Sequence, residues 1–349
     1  MSSPNNQVTL RQRFISALAG EFIDWPIYAA YDWFIRNRQE VDWNPLLSEG
    51  LGIIGHADLL QIDRPHAQIT ETTSQTERGI RRDVYWETDV GELHEWFLGE
   101  WRQEYLIKTP DDYRIMLRAL DGRRASMAPE MYRQVDNWIG ERGVTLGVLS
   151  RTPLQEVQID LAGLARFSLD LADECPALME LLELMTSQFL EGIKLACDGP
   201  QTYIKLWENL SIETMGPACY RRFLVPLYHR IFDILNPAGK RLVVHYDGKL
   251  RIIANQIAEL DFDGIDSFTQ PPEGDMSVAE ARAYWPGKFL WVQPNLGWYA
   301  LPEEQFLARV AQAVRDAGPR RYCLMISEEV PPDWPRTIPA LLRALELMR

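Results

Sequence analysis

The sequence predicts a single α/β domain over residues 1–349, a (β/α)8 TIM barrel with an elaborated N-terminal insertion at about residues 66–142. Three observations predict it. From about residue 144 onward, short apolar β-branched runs alternate with longer amphipathic stretches, the pattern of parallel strands joined by crossover helices. Two further strand-like runs lie upstream, which brings the total to eight. The rival fold, a doubly wound open sheet, lacks its usual signature, because no G-x-G-x-x-G follows any predicted strand.

In chain order, the strands are expected at Trp25 to Ala30, Ala57 to Ile62, Val144 to Leu149, Tyr203 to Trp207, Arg241 to His245, Gly264 to Phe268, Phe289 to Gln293 and Tyr322 to Ile326. Helical periodicity fills the gaps at Pro217 to Leu235, Leu250 to Leu260, Val278 to Trp285 and Pro302 to Ala317. The last has Pro302 at an N1-like position, Glu303 and Glu304 in its first turn, and Gly318 with Pro319 as its stop. Inside the insertion, the alternation from Gln68 to Trp86 reads as a two-stranded excursion.

Composition narrows the function. With 50 acidic against 36 basic side chains the formal net charge is −14. No basic footprint for nucleic acid or for an anionic membrane surface is present, so neither partner is expected. The first fourteen residues show no apolar run behind a basic start, and no long uncharged apolar stretch follows, so a cytoplasmic location is expected. Cys175, Cys197, Cys219 and Cys323 are scattered without a C-x-x-C pair and read as free thiols.

In barrels of this kind, reactive groups occupy the C-terminal ends of strands. That rule selects Asp58, Glu208 with Asn209, His245-Tyr246-Asp247-Gly248, Asp266 and Ser327-Glu328-Glu329. Residues two apart on an extended segment share a side, so His245 and Asp247 can converge on one ion or substrate atom. An Asp-Gly turn beside a hydrogen-bonded histidine fits the same spacing. Aromatic residues Tyr31, Trp33 and Trp207 could line a pocket for a planar ring, although core packing also accounts for many tryptophans. Trp207 stands out because it directly precedes Glu208.

The stretch from Tyr203 to Asp247, with W-E-N-L-x(12)-F-L-V-P-L-Y and a V-V-H-Y-D-G strand end, resembles the uroporphyrinogen decarboxylase superfamily. The opening R-x-R-F-I-S-A-L-A-G-E-F-I-D-W-P (Arg11 to Pro26) and the later D-G-I-D-S-F, E-G-D-M and P-P-D-W-P segments extend the resemblance along the chain. It implies a (β/α)8 barrel and an enzyme, either a decarboxylase or a zinc-dependent methyltransferase that moves a methyl group between a corrinoid protein and a thiol. Position by position, His245 matches the methyltransferases' metal histidine, while Asp247 and Glu328 replace their two cysteines. The implied metal set is therefore His245, Asp247 and Glu328, suited to zinc or a harder divalent ion, with Glu208 as a fourth ligand or base.

The decarboxylase pattern implies Asp58 as its aspartate, whereas Y-A-A-Y-D-W-F stands where an arginine element is expected and only Arg36 and Arg38 follow. Three functions follow from this resemblance. The first is metal-assisted methyl transfer on a small methylated or aromatic substrate, with a corrinoid protein as partner. The second is cofactor-free decarboxylation of a porphyrinogen-like or aromatic acid, using Asp58 and Glu208 as polar catalysts, with Arg36 or Arg38 as carboxylate clamps. The third is a non-catalytic corrinoid- or pyrrole-binding module. A homodimer is compatible with all three.

Overall fold

Eight parallel strands close into a barrel in the computed structural model, which describes residues 8–23 and 25–347. They are β1 (Tyr28–Tyr31), β2 (Gly52–Asp58), β3 (Gly143–Leu149), β4 (Tyr203–Leu206), β5 (Arg241–His245), β6 (Gly264–Thr269), β7 (Phe289–Gln293) and β8 (Tyr322–Met325). Each pairs with its sequence neighbours, and β8 returns to β1. The expected fold class is the one observed. Strands covered on both faces read as near-continuous apolar runs. Accordingly, β1, β3, β6, β7 and β8 are buried at every residue.

The chain forms two compact units: Met1–Leu59 with Pro129–Leu149 and Pro200–Arg349, which holds the barrel, and Leu60–Ala128 with Ser150–Gly199. In the second unit, Gln68–Thr76, Gly79–Thr88, Gly91–Leu98 and Trp101–Glu104 make a four-stranded antiparallel sheet. The two-stranded excursion expected there is thus half of a larger sheet. Among the described residues no helix is long and apolar enough to cross a membrane. The expectation drawn from the N-terminus falls partly outside the described residues, which begin at 8.

Two strand positions differ from expectation. Strand β1 starts later, at Tyr28, and β2 runs from Gly52 to Asp58 rather than from Ala57 to Ile62. Leu60–Asp63 is instead a separate strand, antiparallel to Arg124–Met127 and outside the barrel. The glycines that disguised β2 as a loop are there for packing. A Cβ at Gly52 would sit 2.8 Å from Phe14, and one at Gly55 would sit 2.1 Å from Ile139. Helices can approach β2 closely because it carries no side chain at these points.

Gly143 makes the same point more severely, since a Cβ there would lie 1.8 Å from the Ile53 carbonyl oxygen on the paired strand. Gly143→Ala is expected to destabilise the barrel by about 1–3 kcal/mol or more, measured by urea denaturation. Gly287→Ala, where an added methyl meets nothing within 4 Å, serves as the near-neutral control.

The helix expected over Pro217 to Leu235 is interrupted by a π-helical turn at Tyr220–Leu224 before Val225–Leu235 resumes. Pro226 explains the wide turn, because it supplies no N–H to the carbonyl four residues back. Pro302 is the N-cap of Glu303–Ala317, one position outside the expected N1.

Candidate active site at the barrel mouth

The lumen at the C-terminal end of the barrel holds a hydrogen-bonded set of polar side chains from six strands. Lys205 on β4 is fully buried, with Nζ 2.5 Å from Asp266 Oδ2 on β6 and 3.1 Å from His56 Nε2 on β2. Tyr31 at the end of β1 donates to Asp266 Oδ1 at 2.7 Å, and Gln293 on β7 donates to the Tyr31 hydroxyl at 3.3 Å. In each case at least one strand lies between the partners, so these bonds cross the interior of the barrel.

His245 on β5 is the register partner of Asp266, and its Nδ1 lies 2.7 Å from Asp266 Oδ2. The Nε2 faces Asp247 Oδ2 at 3.7 Å. His56 Nδ1 reaches Asp32 Oδ1 at 3.0 Å, and Asp32 also takes Arg36 at 3.1 Å.

A β-bulge delivers the central carboxylate. The β6–β7 register shifts between Ile265 and Phe268, and Ser267 has φ 62, a left-handed conformation that a non-glycine residue adopts only under constraint. Asp266 sits at this irregularity, and its side chain reaches Lys205, His245 and Tyr31 together.

Charge states follow from these neighbours. Burial, then the positive charge of Lys205, holds His56 down to about 4, so near neutral pH it is a neutral imidazole. Neutral His56 therefore accepts from the Lys205 ammonium at Nε2 and donates from Nδ1 to Asp32. Burial lowers Lys205, against the opposing pull of Asp266. Burial alone would raise the Asp266 carboxyl, but the Lys205 charge and the His245 hydrogen bond overcome it and keep Asp266 ionised. For His245, burial disfavours the imidazolium, yet the neighbouring carboxylates of Asp247 and Asp266 outweigh it and raise the pKa.

Aromatic rings surround this set. Tyr31 and Trp33 stack with centroids 4.2 Å apart, and Trp33 lies 5.5 Å from Trp207. The Trp207 ring is 3.6 Å from Lys205 Nζ and 5.4 Å from the His245 ring. Tyr31, Trp33, Trp207, His245 and Asp247 thus lie together at one end of the barrel.

Other expected site residues stand apart. The Glu208 carboxylate is fully buried and accepts from Tyr228 on the covering helix at 2.8 Å, with Tyr246 donating to Tyr228 in turn. Tyr228 belongs to the helix layer, whereas Lys205 bonds across the lumen. Arg36 is paired with Asp32 and lies over Trp138, and Arg38 is paired with Glu329 at 2.5 Å, so both guanidiniums already have carboxylate or aromatic partners. Asp58 ends β2 on the same side as His56, and burial raises its pKa.

Glu328 is an exposed residue just beyond β8, and partial desolvation of its carboxyl, then the charge of Asp247, raises it to about 7. A carboxyl raised in the folded state loses stability as pH climbs from its ordinary value toward its folded one. Glu328→Gln is therefore expected to stabilise the protein at pH 8 and to leave it unchanged at pH 4, as read by thermal melts at the two values.

His245, Asp247 and Glu328 are near enough to feel each other's charge. Among the described residues, however, no three His, Cys, Asp or Glu side chains converge tightly enough to hold an ion. The nearest further carboxylate, Asp266, is occupied by the Lys205 ammonium. As arranged, these side chains do not fit a resident metal.

Lys205, Asp266, His56 and Asp32 are the members that strand-end reasoning passed over or left without a role. Their signal was a charge inside an apolar run, Y-I-K-L and G-I-D-S-F, since such a charge needs a partner within the barrel.

No protein-family model and no curated protein matches the chain. Among solved structures, a methyltransferase from Methanosarcina mazei superposes with a TM-score of 0.58 at 14% identity, covering 98% of this chain and 99% of that one. The two share one fold. That fold is the (β/α)8 barrel which the sequence resemblance implied. Weaker likenesses are a vitamin-B12-independent methionine synthase from Listeria monocytogenes, at TM-score 0.42, 14% identity and coverage of 63% and 67%, and a B12-independent methionine synthase from Shewanella sp. W3-18-1, at TM-score 0.43, 10% identity and coverage of 86% and 82%.

Proposed function

We propose that the chain is an enzyme of methyl transfer whose active site is the barrel mouth. Its substrate is a small planar molecule carrying a methyl group on a heteroatom. The observation that carries this reading is His245, held between Asp266 and Asp247 and lying against Trp207. A ring stacked on the aromatic shelf would place its heteroatom beside an imidazolium that protonates it as the bond to the methyl group breaks. The methyl group passes to a thiolate or to a reduced corrinoid brought by a partner protein. Lys205 and Asp266 orient the histidine, and Tyr31 and His56 fix that pair in turn. Full-length likeness to a methyltransferase supports the same reading.

Decarboxylation of a carboxylate-rich tetrapyrrole is disfavoured, because Arg36, Arg38 and Lys205 are already paired with Asp32, Glu329 and Asp266. The test supplies trideuteromethyl aryl ethers and N-methyl arenes with either a thiol or reduced cobalamin as acceptor. Label is expected in the acceptor, and much less of it with His245→Ala. Transfer no greater than without protein, or transfer undiminished in the variant, would overturn the proposal. Metal analysis of the purified protein checks the donor geometry independently: no stoichiometric ion is expected, and one lost on His245→Ala would restore the metal set of His245, Asp247 and Glu328.

A further inference from the structure

Above the charged layer, two buried amides on one side of the mouth each have an atom without a partner. Gln293 is 1% exposed and Asn295 8%. Gln293 Nε2 donates to Tyr31, which leaves Oε1 unpaired, and Asn295 Oδ1 accepts from the Gly297 backbone at 2.8 Å, which leaves Nδ2 unpaired. These bonds fix which end of each amide is which. Gln293 points into the lumen, because its bond to Tyr31 passes inside β8, the strand between β7 and β1. Asn295 follows two residues later in extended conformation, with φ −57 and ψ 134, so alternation brings it to the same side one layer nearer the opening. Native proteins seldom leave such atoms unserved, and the mouth of a barrel is where ligands serve them.

We infer that Gln293 Oε1 and Asn295 Nδ2 form an acceptor and donor pair that reads an amide-type edge on the substrate ring. An amide N–H of the substrate would donate to Gln293 Oε1, and its carbonyl would accept from Asn295 Nδ2. A carboxylate offers no donor to Gln293 and sets negative charge against its carbonyl oxygen. A bare ether edge satisfies neither atom. This inference rests on the reading of the mouth as the substrate site and narrows its substrate to aromatic carboxamides or lactams. Selectivity of this kind is large, because an analogue that lacks the hydrogen-bonding edge leaves buried polar atoms unpaired.

The experiment measures binding of benzamide, benzoate and anisole to the full chain by ligand-observed NMR and calorimetry. Asn295→Asp replaces the Nδ2 donor with a carboxylate oxygen, adding negative charge while keeping the Oδ1 cap on Gly297, and Gln293→Met removes the acceptor together with the bond to Tyr31 at similar volume. Benzamide is expected to bind about tenfold more tightly than anisole or benzoate. That preference is expected to vanish in Asn295→Asp and in Gln293→Met, read as the ratio of benzamide to anisole affinity within each variant, with thermal melts confirming folded variants. If anisole binds but benzamide shows no preference, or the preference survives Asn295→Asp, the amide reading is wrong and water serves these atoms. If none of the three binds, the aromatic mouth itself is not a ring site, and the proposed function fails together with this inference.

Discussion

Replacing Lys205 with Met is expected to cost about 3–5 kcal/mol of folding free energy, measured by urea denaturation, because it leaves the Asp266 carboxylate buried without its cation. Both side chains of the pair are inaccessible to solvent, and the 2.5 Å contact is reinforced by His245 and Tyr31 on the same carboxylate. Asp266→Asn is expected to be costly for the converse reason, since an ammonium then remains among Trp207, Tyr31 and a neutral His56. The double variant Lys205→Met with Asp266→Asn should lose clearly less than the two single losses added together. Additive losses in that cycle would show that the two residues act independently and would refute the buried pair as the centre of the site.

His245→Asn is expected to lower the rate of the proposed methyl transfer by about 10²–10⁴-fold, the usual contribution of a positioned general acid. The pH profile provides the sharper check. Because the carboxylates of Asp247 and Asp266 raise His245 against its burial, the imidazolium persists to higher pH than in a free histidine and activity is expected to fall only as pH passes that raised value. Asp247→Asn removes one of the raising interactions, so the fall should move to lower pH while the plateau below it persists. A profile unmoved by Asp247→Asn would take His245 out of the proton transfer.

The barrel was largely legible because parallel strands buried on both faces announce themselves as apolar runs. From β3 onward, the strands lie within one residue of their expected ends. Strand β2 was not legible: its glycines look like loop residues until the helices pressed against them are seen. His245 and Asp247 were legible through their two-residue spacing. Glu208 shows what a strand-end rule leaves out, for it selects a height in the barrel and not a face. Placing Trp207 toward the lumen already required the next residue to face the other way, toward the helix carrying Tyr228. The partnership of Lys205 with Asp266 depends on two separate strands and on a bulge at Ser267 that no local pattern foretells.

The lumen network also bears on how the chain reaches its native state. Tyr31 and Asp266 are 235 residues apart, Gln293 and Tyr31 262, and Lys205 and His56 149. The two bonds of Tyr31 join β1 to β6 and β7 and need the closed barrel, whereas Lys205 can meet His56 or Asp266 within β2 to β6. Until closure, Asp266 and Gln293 lack Tyr31, so a half-assembled sheet that collapses early buries polar groups short of a partner. The side chains around the proposed proton donor therefore also favour the arrangement in which the last strand has met the first.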